Sequence, residues 1–245
     1  MKKLIGIVAL LGFVFVLPGA LMAQDAAVTE EVVSNEGGIT LMKRYFIEGG
    51  WEFMSIILVC LILGLAFCIE RIITLSLADI NADKLLSNVE KALTNKDVEK
   101  AKSICKSTRG PIASIMYQGL TRTNEGIDIV EKSVASYGSV QMGQLEKGLS
   151  WISLFIALAP MLGFFGTVIG MVQAFDDIAN AGAISATIVA GGIKVALLTT
   201  VFGLIVAIIL QVFYNFISSK IEGIVNKMED SSITFIDILV KNKIA

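Results

Sequence analysis

The residue types that carry most protein chemistry are nearly absent from this chain. It has no histidine, which removes the commonest metal ligand and the commonest general base. Its three cysteines, Cys60, Cys68 and Cys105, form no CxxC pair, so they spell neither a zinc site nor a disulfide framework. We read them as inert structural thiols. No phosphate loop, dinucleotide fingerprint or nucleophile elbow occurs, and no carboxylate pair stands apart from surface charge. The chain therefore reads as neither an enzyme nor a cofactor carrier. What remains is a set of hydroxyls in unusual places. Thr167, Thr199 and Thr200 lie in long uncharged runs beside Gly163, Gly166, Gly170 and Gly203. A hydroxyl in an apolar helix bonds its own backbone or lines a polar path. The chemistry on offer is packing or passage.

Two stretches hold these residues, Gly148–Phe175 and Val195–Ser219. Each exceeds the roughly 20 helical residues that cross a bilayer core. Gly163, Gly166, Thr167 and Gly170 fall at i, i+3, i+4 and i+7 and share one face. Ala196, Thr199, Thr200, Gly203 and Ala207 form a second small face. Alone, such stripes are common helix-packing surfaces. Read as antiparallel spans, they place Thr167 and Thr200 at one depth, roughly 6–9 Å outward of the bilayer middle at 1.5 Å per residue. That match raises the alternative of a shared polar path. Pro160 is expected to kink or loosen the second span.

The composition agrees. Of 245 residues, 55% are hydrophobic and 17% charged, with net charge −2. The apolar residues are concentrated in a few runs, so the expectation is an all-α membrane protein with three transmembrane helices and long cytoplasmic helical extensions. The lack of a basic block argues against nucleic-acid binding.

In chain order, residues 1–23 read as a secretory signal peptide cleaved after Ala23, the alternative being an uncleaved anchor helix. Residues 24–50 are an acidic periplasmic segment whose second half forms a short interfacial helix. Residues 51–75 are the first span, opened by the interfacial Trp51. Glu70 and Arg71 lie at its far end, where an adjacent pair reaches the headgroups. Residues 76–147 are a helical domain with ten Lys/Arg, against two in the acidic segment, so the positive-inside rule puts it in the cytoplasm. Helix boundaries are expected at Asn95–Asp97 and Arg109–Pro111. Helical spacing from Gly126 onward predicts one rod of about 75 Å running to Phe175. Residues 148–175 are the second span, and 176–194 a periplasmic link. Its Asp176, Asp177 and Lys194 stand at the outer mouth, where Lys194 pairs with an aspartate or snorkels. Residues 195–217 are the third span, and 218–245 a cytoplasmic helix continuing it.

The motif Ala159-Pro160-x-Leu162-Gly163-x-x-Gly166-Thr167-Val168-x-Gly170, with Gly192–Thr200 and Gly203–Ile208, resembles the two signature segments of the MotA/TolQ/ExbB proton-channel family, its ExbB branch best. The resemblance implies a bacterial inner-membrane oligomer, a homopentamer, with its N-terminus periplasmic and its C-terminus cytoplasmic. Its central pore would hold the helices of an ExbD-like single-span partner, and proton flow there would drive a TonB-like transducer of outer-membrane transport. Thr167 and Thr200 match the family's pore threonines, and Thr199, Gly163, Gly166, Gly170 and Gly203 would line the same pore. The alternatives are a TolQ-like subunit of the Tol-Pal system and a passive membrane scaffold. One position departs from the family: Val195 stands where many relatives carry Glu. With no carboxylate in the cores of the spans, the titrating acid would be an Asp of the partner.

Overall fold

The computed structural model of the chain describes residues 38–182, 186–242 and 244. The expected signal peptide, residues 1–23, lies outside them, as does the first half of the acidic segment. The chain divides into two compact units at Ile47/Glu48. Helix α1 (Gly38–Glu48) forms over the expected interfacial stretch. Its last residue, Glu48, and all that follows belong to the second unit.

Every regular element among the described residues is helical. Helix α2 (Trp51–Ala78), α7 (Leu149–Ala181) and α8 (Ala186–Lys241) have 28, 33 and 56 residues. All three are long and apolar enough to cross a membrane. Between α2 and α7 come α3 (Ala82–Thr94), α4 (Val98–Ser107), α5 (Pro111–Thr121) and α6 (Ile127–Glu146), with a short 3-10 turn at Thr123–Glu125.

Local chemistry sets the ends of the small helices. Asn81 accepts from Lys84 N (3.0 Å) and Asp97 from Lys100 N (2.9 Å), each satisfying an orphan donor of the first turn. Gly110, at φ 120°, delivers Pro111 into the first position of α5, where its missing N–H costs nothing. These helices close on the far half of α8. A Cβ on Gly119 would stand 2.7 Å from Phe235 Cε1 and 2.9 Å from Val134 Cγ2, so the missing side chain admits the fully buried Phe235 ring. Polar ties fasten α2 and α3 to the same half of α8: Lys220 to Ser76 at 2.6 Å, Lys227 to Asp79 at 2.6 Å and Lys241 to Glu90 at 3.5 Å.

Two features differ from expectation. The rod from Gly126 to Phe175 is broken: α6 ends at Glu146, and Gly148, at φ 93°, starts α7 afresh. A left-handed residue cannot continue a right-handed helix. Arg71 covers the break. Its side chain is only 12% exposed, lies 3.4 Å from where a Gly148 Cβ would be, and donates Nε to Glu70 Oε2 at 2.8 Å. The expected link 176–194 is also largely helical, since α7 runs to Ala181 and α8 starts at Ala186. Helix α7 runs through Pro160 as one continuous element; proline removes one backbone donor but already holds a helical φ.

Candidate functional site: the α7–α8 seam

Helices α7 and α8 meet along their small residues. Gly163, Gly166, Gly170 and Ala174 of α7 are buried, as are Ala196, Thr199 and Gly203 of α8. Without side chains between them the backbones nearly touch. A Cβ on Gly203 would stand 2.6 Å from the Ala159 carbonyl oxygen, and one on Gly163 2.9 Å from the Thr199 carbonyl oxygen. One on Gly166 would stand 2.7 Å from Thr199 Oγ1, and one on Gly170 3.2 Å from Ala196 N. Such small-residue contacts let helices in lipid gain dispersion energy where no hydrophobic drive exists. Residue numbers rise on one helix as they fall on the other, so the two run antiparallel.

The seam sorts the residues expected to line a pore. Within the single chain Gly163, Gly166, Gly170, Gly203 and Thr199 are covered by the partner helix. Thr199 is 1% exposed, and its hydroxyl donates to Ala196 O at 2.8 Å and lies 3.3 Å from Gly163 O. These five hold the pair of helices together. Thr167 and Thr200 differ, being only half-buried at the seam's edge. Thr167 Oγ1 donates to Phe164 O at 2.6 Å, and Thr200 Oγ1 reaches Gly163 O at 3.4 Å. Their protons point at backbone, leaving oxygen lone pairs open. The seam contacts set their depths: Thr199 packs at Gly166, Ala196 at Gly170, and Gly203 at Ala159 and Gly163, so Thr200 stands within about two residues, roughly 3 Å, of the level of Thr167.

Helix α2 packs on another side. Phe67 stacks with Phe155 and Trp151 of α7, both at 6.1 Å between centroids, and Gly64 accommodates Leu210 of α8. At 100° per residue Thr167 stands about 120° around α7 from Phe155. The edge bearing Thr167 thus turns away from the α2 contact.

At the end of the bundle where α7 turns into α8, Lys194 does not pair with Asp176 or Asp177. Its Nζ lies 2.9 Å from Glu48 Oε2, while both aspartates are exposed on α7. The turn Gly49-Gly50 before α2 brings Glu48 there, and Gly50 lies near Val195. Sequence reasoning missed Glu48, because nothing local joins residues 146 positions apart. Among the described residues no group of His, Cys, Asp and Glu is placed to hold a metal. Cys105 is buried and its thiol is pushed up to about 11 by desolvation, as fits a structural thiol.

Fold and seam together define a polytopic helical membrane protein, with two spans locked by glycine and threonine and a helical domain on their extensions. The profile of the MotA/TolQ/ExbB proton channel family matches residues 107–230, half of the chain, and the chain belongs to that family. It is 35% identical over 122 residues to a putative biopolymer transport protein ExbB homolog of Methanothermobacter thermautotrophicus, covering 49% of this chain and 43% of that protein. It is 34% identical over 117 residues to the biopolymer transport protein ExbB of Pseudomonas putida, covering 46% and 34%. To ExbB of Salmonella typhimurium it is 37% identical over 103 residues, covering 40% and 41%. The chain thus spans less than half the length of these three relatives.

Proposed function

We propose that this chain is the ExbB-like subunit of a proton-channel motor in a bacterial inner membrane. With an ExbD-like single-span partner it uses the proton motive force to energise TonB-dependent outer-membrane transport. In this reading five copies surround the partner's helices. The Gly182 end of the bundle faces the periplasm, and α3–α6 lie in the cytoplasm, the side favoured by their excess of Lys and Arg.

One observation carries the reading. Of the seven residues expected to line a pore, five are spent on the seam, whereas Thr167 and Thr200 are half-buried on its edge. Each hydroxyl donates to backbone, so toward an outside partner it accepts. A protonated partner Asp donates to such an oxygen; an ionised Asp cannot. The threonines therefore favour the neutral acid inside the membrane, where an unpaired carboxylate is costly. Within residues 51–75, 148–175 and 195–217 the carboxylates are Glu52 and Glu70 alone, toward the two ends of the first stretch, so in this reading the titrating acid belongs to the partner.

The test is the pair Thr167→Val and Thr200→Val, which keeps shape and removes the oxygens. Force-driven uptake is expected to fall to background while the complex still assembles with its partner. Unchanged uptake would overturn the role of the threonines. A passive scaffold is the second reading, favoured by Val195 where many relatives carry Glu. It predicts no proton flux in vesicles holding the complex, whereas the channel reading predicts flux abolished when the partner's Asp is replaced by Asn.

A further inference from the structure

The helical domain outside the spans leaves two faces uncovered, and they match. Gly119 of α5 supplies the common level, since both Val134 of α6 and Phe235 of α8 close on it. From there α6 leads away from the spans toward its N-terminus, and α8 toward its C-terminus. A groove of about 620 Å³ between them is lined from α6 by Glu131, Ala135 and Met142 and from α8 by Val225, Ile236 and Asp237; the two helices run antiparallel. Positions equally far from Val134 and Phe235 are therefore level.

Lys132 and Asp237 are each two residues from the anchor, on the side away from the spans. Two residues turn a helix by about 200°, so each stands off the core side of its helix: Lys132 lines the pocket beside α5, and Asp237 lines the groove between α6 and α8. Ile129 and Val240 are each five residues away, hence level too, and they are 40% and 56% exposed. Lys132 and Asp237 are exposed, and no ion pair within the described residues involves either. The basic Arg122 lines a shallow pocket with Ile129 and Lys132. Glu229 and Ile233, 65% exposed, lie beside Asp237. In the spans, exposed apolar side chains meet lipid. Here there is none, and clustered apolar exposure marks an interface.

We propose that the α6 face of one copy docks on the α8 face of the next copy of this chain, with Lys132 against Asp237 and Ile129 against Val240. Rotation about an axis along the helices leaves every residue at its own level, so only level residues meet around a ring, and these pairs are level. The two faces differ, so the contact is head-to-tail and closes as a ring instead of stopping at a pair. Opposite charge selects the register and suppresses the two like-face pairings. The inference rests on the multi-copy assembly proposed above and adds the surfaces that build it.

The test uses the full chain in native membranes. Lys132→Cys with Asp237→Cys, oxidised, is expected to give a ladder of dimer and higher species. Each single variant alone stays monomeric, because position 132 meets 237 and not itself; the two single variants expressed together give dimer. Cys60, Cys68 and Cys105 are buried and do not compete. In a second reporter, Ile129→Cys with Val240→Cys, adding Lys132→Asp is expected to abolish the ladder, and adding Asp237→Lys as well to restore it. Restoration shows that loss of the ladder came from charge and not from misfolding. The proposal is overturned if neither cysteine pair gives a ladder, if single variants dimerise, if the charge swap fails to restore, or if position 237 cross-links to a different protein. A ladder without transport would overturn the motor and leave the interface standing; transport without a ladder would do the reverse.

Discussion

Helix α8 is packed twice along its length, by opposite means. Its first half lies in the seam, where Ala196, Thr199 and Gly203 let two backbones touch. Its second half lies in the extramembrane domain, where Ile221, Ile224, Met228, Phe235 and Leu239 fill a core. The buried positions recur at the same three- and four-residue spacing throughout, so one stripe serves both. The solvent makes the difference. Lipid is as apolar as leucine, so helices in it gain by closeness alone. Water rewards burial of large side chains at roughly 25 cal/mol per Å² of apolar area. Small residues in one half and large in the other are the same stripe answering two solvents.

The comparison can be broken at its strongest point first. Phe235→Ala is expected to cost about 3–5 kcal/mol, as for buried aromatics in general. Limited proteolysis of the purified protein should then open α3–α6 while α7–α8 stay protected; loss of both regions together would mean the two packings are not separable. Gly203→Val places a side chain against the Ala159 carbonyl, which has no rotamer to escape with. An overpacking cost near 3 kcal/mol is expected. It should appear as reduced thermal stability of the detergent-solubilised seam, with the extramembrane domain unaffected. The smallest effect is assigned to Thr199→Val. Its hydroxyl bonds lie inside the membrane, where such contacts average about 0.6 kcal/mol. A thermal shift within about a degree or two is expected at that size for a chain this long; a loss as large as that of Gly203→Val would show that hydrogen bonds, and not closeness, hold the seam.

The legible part of this fold was written locally. Asn81, Asp97 and Gly110-Pro111 cap and start helices through bonds within one turn, and the three apolar runs declare themselves by length. The i, i+3, i+4, i+7 spacing of Gly163, Gly166, Thr167 and Gly170 showed a face but not what it faces. A stripe of small residues is equally suited to a lumen and to a neighbour, and only the contacts of Gly163 and Gly203 decide. The break at Gly148 was hidden because the apolar periodicity on either side stays in phase, and a glycine inside a helical pattern does not announce a positive φ. The Glu48–Lys194 pair was out of reach because its register depends on how the Gly49-Gly50 turn folds back.

The two arms that join membrane to domain are mechanically unequal. Helix α8 is one uninterrupted shaft of 56 residues, about 84 Å at 1.5 Å per residue. The route through α6 and α7 has an elbow at Gly148, beside which the Arg71 side chain lies. A tilt or twist imposed on α8 beside Thr200 is therefore delivered to Asp237 and Val240 with little loss. The same displacement on α7 is absorbed at the elbow before it reaches Lys132. On the motor reading proposed above, α8 is the arm that would carry movement out of the membrane, and the Gly148 elbow the part that would yield.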